Sequence, residues 1–278
     1  MYSAPGELAY HYTSREAAFG HILVARSLRL SALGSMRDPV ENKDWVQTLY
    51  ARGTDRTPAE ALYRAARDTL FKTKLLSFTL DAPADPAGGP AEYTRGYARP
   101  RMWEQYAENH QGVCLAFDRV GLTEHLMSIL RAFGHVVSGP VVYSNTPRPG
   151  SEAARILDAD QLRDAAAGDL TVGLREHLRA HAPELFFRKL EDWKTERELR
   201  FVVLDEDKLS TTVALGDSLR GVILGELFPS WQVSGAAEIC RSLAVDLRQM
   251  QWGAFPPGVF DPIAAGPPEP IHWVVEEE

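Results

Sequence analysis

Apolar residues recur along this chain with two periods. Alternating or short continuous apolar runs predict strands at 8–12 (Leu-Ala-Tyr-His-Tyr), 74–80 (Lys-Leu-Leu-Ser-Phe-Thr-Leu), 112–118, 139–144, 198–204, 211–215, 220–224 and 270–275. A period near 3.6 predicts helices at 16–23, 57–73, 101–110, 121–132, 151–166, 171–193 and 236–244. The segment 57–73 has the strongest signature. Thr57 is placed to cap it, Pro58 takes the first position, Glu60 completes a capping box, and Leu62, Ala65, Ala66, Leu70 and Phe71 make the apolar stripe. Thr13 or Ser14 can cap the helix after the first strand. Pro39 disfavours helix at Asp38, so 37–42 is read as loop. Strands and helices do not alternate in the regular rhythm of a parallel doubly wound sheet. The expectation is one α+β domain over 1–278, with a mixed, largely antiparallel split sheet and surrounding helices. Residues 81–100, rich in Pro, Gly and Ala, read as a lid loop. Residues 256–278 read as a Pro-rich C-terminal wrap ending in the acidic tail Glu276-Glu277-Glu278.

The helix predicted to end near Trp193 runs into the apolar strand at 198–204, and charges crowd the junction: Glu196, Glu198 and Arg200. In an extended backbone, residues two apart point to one side, so all three would share a face. Charge at the entry of a core strand is costly unless it is paired or faces a cleft. One reading is a strand edge with Glu–Arg pairs, and the other is a carboxylate pair lining an active site. Other polar candidates lie at His11, where a strand meets a helix, and at Ser77 and Thr79, on one face of a strand. Trp103, Tyr106 and His110 share a helical face and read as core. His177 and His181 have metal-ligand spacing, but their charged neighbours make them a solvated face.

A chain of 278 residues can bury a substantial core without staples. Its net charge of −8 argues against a broad nucleic-acid-binding surface. Cys114 and Cys240 lie far apart, which fits a reducing compartment and no structural zinc. No apolar run approaches membrane length and no signal segment is recognised, so the expected location is the cytoplasm. Glycine-rich phosphate motifs and the Gly-x-Ser-x-Gly elbow are absent from the sequence.

Five pieces follow each other in order: His11-Tyr12-Thr13-Ser14, Asp38-Pro39-x-Glu41, Ser77-Phe78-Thr79, Met102-Trp103-x-x-Tyr106 with Gly112-Val113-Cys114, and Trp193-x-x-Glu196-x-Glu198-x-Arg200. As a set they resemble a bacterial family catalogued as domain-of-unknown-function family 2971, over most of residues 8–225. Arg37 departs from the Asn that such proteins tend to carry before Asp-Pro. More distantly, the order His, Ser/Thr strand, Glu-x-Glu resembles ADP-ribosyltransferases, whose split antiparallel fold binds NAD between two small sheets. That resemblance implies NAD as substrate, Glu198 as the catalytic carboxylate, and Glu196 as the group that orients or deprotonates the acceptor. It also implies that His11 bonds a ribose hydroxyl and that Ser77 and Thr79 shape the nicotinamide end of the cleft. Tyr12, Thr13, Phe78, Trp103 and Tyr106 join the cofactor-binding set, with an aromatic ring such as Phe78, Tyr12 or Trp103 stacking on a base. Arg29 or Arg200 would hold the pyrophosphate. Acceptor identity stays open, and a toxin or phage-defence role suits the resemblance.

Two rival readings stand beside it. Asp38, Glu41, Glu196 and Glu198 could hold Mg²⁺ in a metal-dependent hydrolase or nuclease. Alternatively the cleft binds a nucleotide or partner without turnover, with Glu196 and Glu198 paired to Lys189, Lys194 or Arg200.

Overall fold

Nine strands form the spine of the protein, and the computed structural model describes residues 6–36, 38, 41, 46–51, 56–84, 86–165, 168–204, 212–253 and 256–264. In chain order the strands are β1 (Leu8–Thr13), β2 (Ser31–Ala32), β3 (Lys74–Leu80), β4 (Val113–Asp118), β5 (His135–Pro140), β6 (Glu198–Leu204), β7 (Leu219–Leu224), β8 (Asp246–Gln251) and β9 (Gly258–Phe260). Across the sheet they run β9-β8-β7-β4-β1-β3-β6-β5, with β2 also paired to β3. Every pairing is antiparallel except β7 with β8. A parallel pair needs a crossover, and the helix Ser230–Ser242 supplies it. The mixed, largely antiparallel α+β class expected from the sequence is the class observed.

The helices that matter here are α1 (Thr57–Lys72), α2 (Pro100–Tyr106), α3 (Arg119–Leu130), α4 (Leu170–Ala180) and α5 (Ser230–Ser242). Both faces of the sheet are covered, which is why Val113–Phe117 of β4 is apolar throughout and wholly buried. One face packs Phe78, Leu115, Phe117, Phe201 and Val222 against α3 and α5. The other carries two separate cores. Leu75 and Val202 pack against Leu62 of α1 and Leu174 and Leu178 of α4. Tyr10, Tyr12, Cys114 and Ile223 pack against Met102 and Trp103 of α2.

The sheet is split at β3. Its full length pairs with β6 on one edge. On its other edge, β1 takes Leu80 and Thr79 while β2 takes Leu75 and Lys74. Between those two partners Leu76, Ser77 and Phe78 have no strand opposite them among the described residues. Beyond the Tyr10–Thr79 pair, β1 diverges to follow β4 through His11–Thr13.

Several expected elements differ. Helix α1 begins at Thr57 itself, after Arg56, whose side chain makes no capping hydrogen bond. Leu62 and Ala66 are buried as the stripe requires, while the side chains of Leu70 and Phe71 lie outside the described residues. Ser14 caps the turn after β1, accepting the Ala17 N–H at 3.1 Å. The predicted helix 151–166 is a 3-10 turn, a short strand Ile156–Asp158 and a helix Ala159–Ala165. The predicted helix 171–193 stops at Ala180, because Pro183 restarts the chain as the short helix Ala182–Phe186. Strand Arg188–Lys189 and the 3-10 segment Glu191–Glu196 follow. The strand expected at 139–144 is two strands, His135–Pro140 and the short Val142–Tyr143, and helix 236–244 starts six residues earlier, at Ser230. Strand 246–251 was not expected, while the strand expected at 270–275 lies outside the described residues, as do Arg37, Pro39, Asn42 and 265–278.

Candidate functional site

A cavity of about 550 Å³ opens where the sheet splits, between the two cores of that face. Its lining includes Leu75 from one core and Tyr10, Tyr12 and Met102 from the other. Of the expected site residues, His11, Tyr12, Arg29, Ser77, Phe78, Thr79, Tyr106, Glu196 and Glu198 all reach it. Trp103 and Thr13 do not. Trp103 is fully buried, donating its indole N–H to the Tyr97 carbonyl at 2.7 Å and meeting the Tyr12 ring edge-on at 5.2 Å. Thr13 pairs with Val113 inside the sheet. Phe78 touches the lining, but its ring belongs to the opposite core, edge-on to Phe117 and Phe201. None of residues 81–100 is among the lining residues. Asp81 instead ties that segment down, accepting from the Gly96 N–H at 2.7 Å and from Arg95 at 3.1 Å. Gly96 is obligatory there, since a Cβ would lie 2.3 Å from the Tyr10 ring.

His11 bridges the split. Its Nδ1 lies 3.2 Å from the Ser77 carbonyl. A carbonyl only accepts, so Nδ1 carries the proton and Nε2 is left with its lone pair. Burial holds the imidazole pKa below its usual value, against the opposing pull of that hydrogen bond, so the ring is neutral at physiological pH.

The floor is a five-member ionic cluster. Arg200, with no exposed surface, donates to Glu198 Oε2 at 2.6 Å, Glu41 Oε1 at 2.5 Å and the Phe186 carbonyl at 2.6 Å. Lys189 Nζ lies 2.8 Å from Glu196 Oε2, 3.1 Å from Glu198 Oε2 and 3.7 Å from Glu41 Oε2. The Tyr106 hydroxyl donates to Glu196 Oε1 at 2.8 Å. Counted as ionised, three carboxylates meet two cations and leave one negative charge in excess. Burial pushes the Glu198 carboxyl up, but Arg200 and Lys189 outweigh it and hold the group down at about 2. For Glu41 burial wins, and its pKa is raised. Lys189 and Arg200 are desolvated, yet their carboxylates keep both firmly protonated. Ser77 Oγ is buried against the Glu198 carboxylate, favours its ionised form, and makes no hydrogen bond of standard geometry.

The predicted shared face of Glu196, Glu198 and Arg200 holds only for the last two. Glu196 ends a 3-10 turn, and Arg197 is left-handed at φ 46 before β6 begins. That conformation costs a non-glycine residue on the order of 1 kcal/mol. It is offset by two bonds: Leu80 N–H to the Arg197 carbonyl at 2.9 Å and Arg197 Nε to the Asp81 carbonyl at 3.1 Å. Glu196 then meets its neighbours through Lys189, which the short parallel pairing with Tyr143 sets in place. The Tyr143 hydroxyl also accepts the Glu198 backbone N–H at 2.9 Å.

The pairing of Glu196 and Glu198 with Lys189, one of the alternatives the sequence offers, is present, but the helical reading of 171–193 does not place Lys189 at the centre of the cluster. In the sequence Glu41 stands out only as part of Asp38-Pro39-x-Glu41, whose rival reading makes it a Mg²⁺ ligand. Among the described residues no group of three or more His, Cys, Asp and Glu side chains is arranged to hold a metal ion. No described helix is long and apolar enough to cross a membrane. No curated protein and no solved structure matches the chain. Residues 102–201, the stretch that carries Tyr106, Lys189, Glu196, Glu198 and Arg200, match the family described as "Protein of unknown function (DUF2971)".

Proposed function

We propose that the protein is an ADP-ribosyltransferase-like enzyme that takes NAD as substrate, cleaves its nicotinamide–ribose bond and passes the ADP-ribosyl group to an acceptor. The observation that carries this reading is the convergence of His11, Ser77, Tyr106 and Glu198 on one cavity at the split of the sheet. Its volume of about 550 Å³ falls within the range of small-molecule sites. Ser77 Oγ is a buried polar atom beside Glu198 that makes no hydrogen bond of standard geometry.

Departure of nicotinamide leaves the ribose with oxocarbenium character, as in glycoside cleavage. A carboxylate close to that sugar stabilises the charge more in the transition state than in the ground state. Glu198 suits the task because Arg200 and Lys189 keep it ionised and fixed, so no reorganisation is needed as charge develops. The excess negative charge of the cluster adds to the same field. Arg29, exposed at the cavity mouth, would meet the pyrophosphate. Consumption of NAD by such an enzyme is compatible with a toxin or phage-defence effector.

The test is Glu198→Gln. It should lower nicotinamide release from NAD by about 10²–10³-fold, with the far-UV circular dichroism spectrum unchanged. A variant that releases nicotinamide as fast as the wild type removes the assignment. One observation favours a second reading, a nucleotide-binding module without turnover: the closed pairing of Glu196 and Glu198 with Lys189 and Arg200 is also what a structural clamp would form. NAD binding by calorimetry with no nicotinamide released by the wild type would select it.

A further inference from the structure

The acceptor is the open end of the reading above, and the floor of the cavity bears on it. Glu196, the residue the Glu-x-Glu pattern assigns to acceptor activation, has both oxygens engaged: Oε1 accepts from Tyr106 and Oε2 from Lys189. It is 4% exposed, and Glu198 and Lys189 are each 7% exposed. A side chain presented by a macromolecule would have to pass the exposed rim at Arg29 and Ser35 and reach carboxylates that have almost no accessible surface. There Glu196 has both oxygens taken and Glu198 is held by Arg200 and Lys189, while Glu41 Oε2, which has no hydrogen-bond partner among the described residues, is buried at the floor with the residue 8% exposed. Lys189 and Tyr106 cannot take the proton either, because the carboxylates around Lys189 outweigh its desolvation and keep it protonated, and burial, reinforced by Glu196, does the same for Tyr106. Among the described lining residues His11 is the one imidazole, and its geometry leaves Nε2 as a free lone pair.

We infer that the acceptor is water, with His11 Nε2 as the group that deprotonates it, so that the site works as an NAD glycohydrolase. This rests on the NAD-cleaving reading of the same cavity. The bond from the anomeric carbon to the pyridinium nitrogen breaks, and its electron pair stays on nitrogen, giving neutral nicotinamide. The water oxygen bonds to the anomeric carbon. One water proton passes to His11 Nε2 and from the imidazolium to solvent. The products are ADP-ribose, nicotinamide and one proton, and the charge of the pyridinium is carried away by that proton. The neutral state of His11 at pH 7, set by burial, is the state that a base requires.

The full chain, incubated with adenine-labelled NAD and a bacterial lysate as the pool of macromolecular acceptors, tests this. The expected result is soluble ADP-ribose equal in amount to the nicotinamide released. In methanol–water mixtures, part of the product should be the methyl riboside of ADP-ribose. Nicotinamide release with the label in acid-precipitated macromolecules would overturn the inference and leave the NAD-cleaving reading standing. An absence of nicotinamide would remove that reading and the inference with it. His11→Gln, which keeps a hydrogen-bond acceptor but no base, should lower kcat by about 10²-fold. The wild-type rate should also fall on the acid side with an inflection below 6.5. A rate that is flat from pH 8 to pH 5 would overturn the role given to His11, whatever the variant's folding.

Discussion

Removing Arg200 should expose how much of the fold depends on the ionic floor. In Arg200→Met the aliphatic volume is kept, but Glu198 and Glu41 lose a donor that contacts them at 2.6 and 2.5 Å. Breaking a buried pair from one side leaves uncompensated charge and typically costs about 3–5 kcal/mol. The titration of Glu198 leads to a similar size. Its pKa lies at about 2 against an ordinary 4.5, and at about 1.4 kcal/mol per pH unit that depression corresponds to roughly 3 kcal/mol. The sign follows from the depression. Glu198's contribution is fully present above 4.5 and is lost as pH falls through the folded value near 2. Glu41 runs the other way: its raised pKa penalises the ionised form, and protonation at low pH relieves the penalty. The assay is urea unfolding, followed by tryptophan fluorescence, for wild type and variant at a common slope. At pH 7 the gap should be about 3–5 kcal/mol. Below 4.5 it should narrow, by less than about 1.4 kcal/mol per pH unit, as the wild type loses the part of the Glu198 depression that Arg200 supplies, while Lys189 keeps its own part in the variant. A variant within about 1 kcal/mol of wild type at pH 7, or a gap that does not change down to pH 3.5, would refute the reasoning.

Two further consequences concern packing. A Cβ at Gly225 would lie 2.0 Å from the His110 carbonyl oxygen, which also accepts the Leu227 N–H. Gly225→Ala should therefore cost about 3 kcal/mol by displacing backbone, read as a lowered midpoint in thermal unfolding; an unshifted midpoint would contradict the packing described. Cys114 and Cys240 are buried, and burial raises both thiols, Cys240 to about 12. Neither should react with iodoacetamide at pH 8 until denaturant is added, as mass spectrometry of the intact protein would show.

Much of this protein is written locally. Short, mostly apolar runs at 8–12 and 74–80 mark β1 and β3, because a strand covered on both faces buries most of its side chains. Period and proline placement likewise mark α1, and the turns to come at Pro183 could have been read from that residue alone. The order His, Ser-x-Thr, Glu-x-Glu was legible too, as a set of polar positions on strands that would otherwise be apolar. The strand at 246–251 was not, because Asp-Leu-Arg-Gln-Met-Gln gains its conformation from pairing with β7 and β9 rather than from its own propensity.

Tertiary structure decided how the charges meet. Arg200 and Glu41 are separated by 159 positions in the chain and by 2.5 Å in space. Which acid a buried base selects depends on where the low-dielectric walls bring them together, and no local pattern contains that distance. The split between β1 and β2 along one edge of β3 is likewise a matter of through-space pairing. It turns Ser77 from one polar residue on a core strand into the rim of a cavity, with His11 across from it.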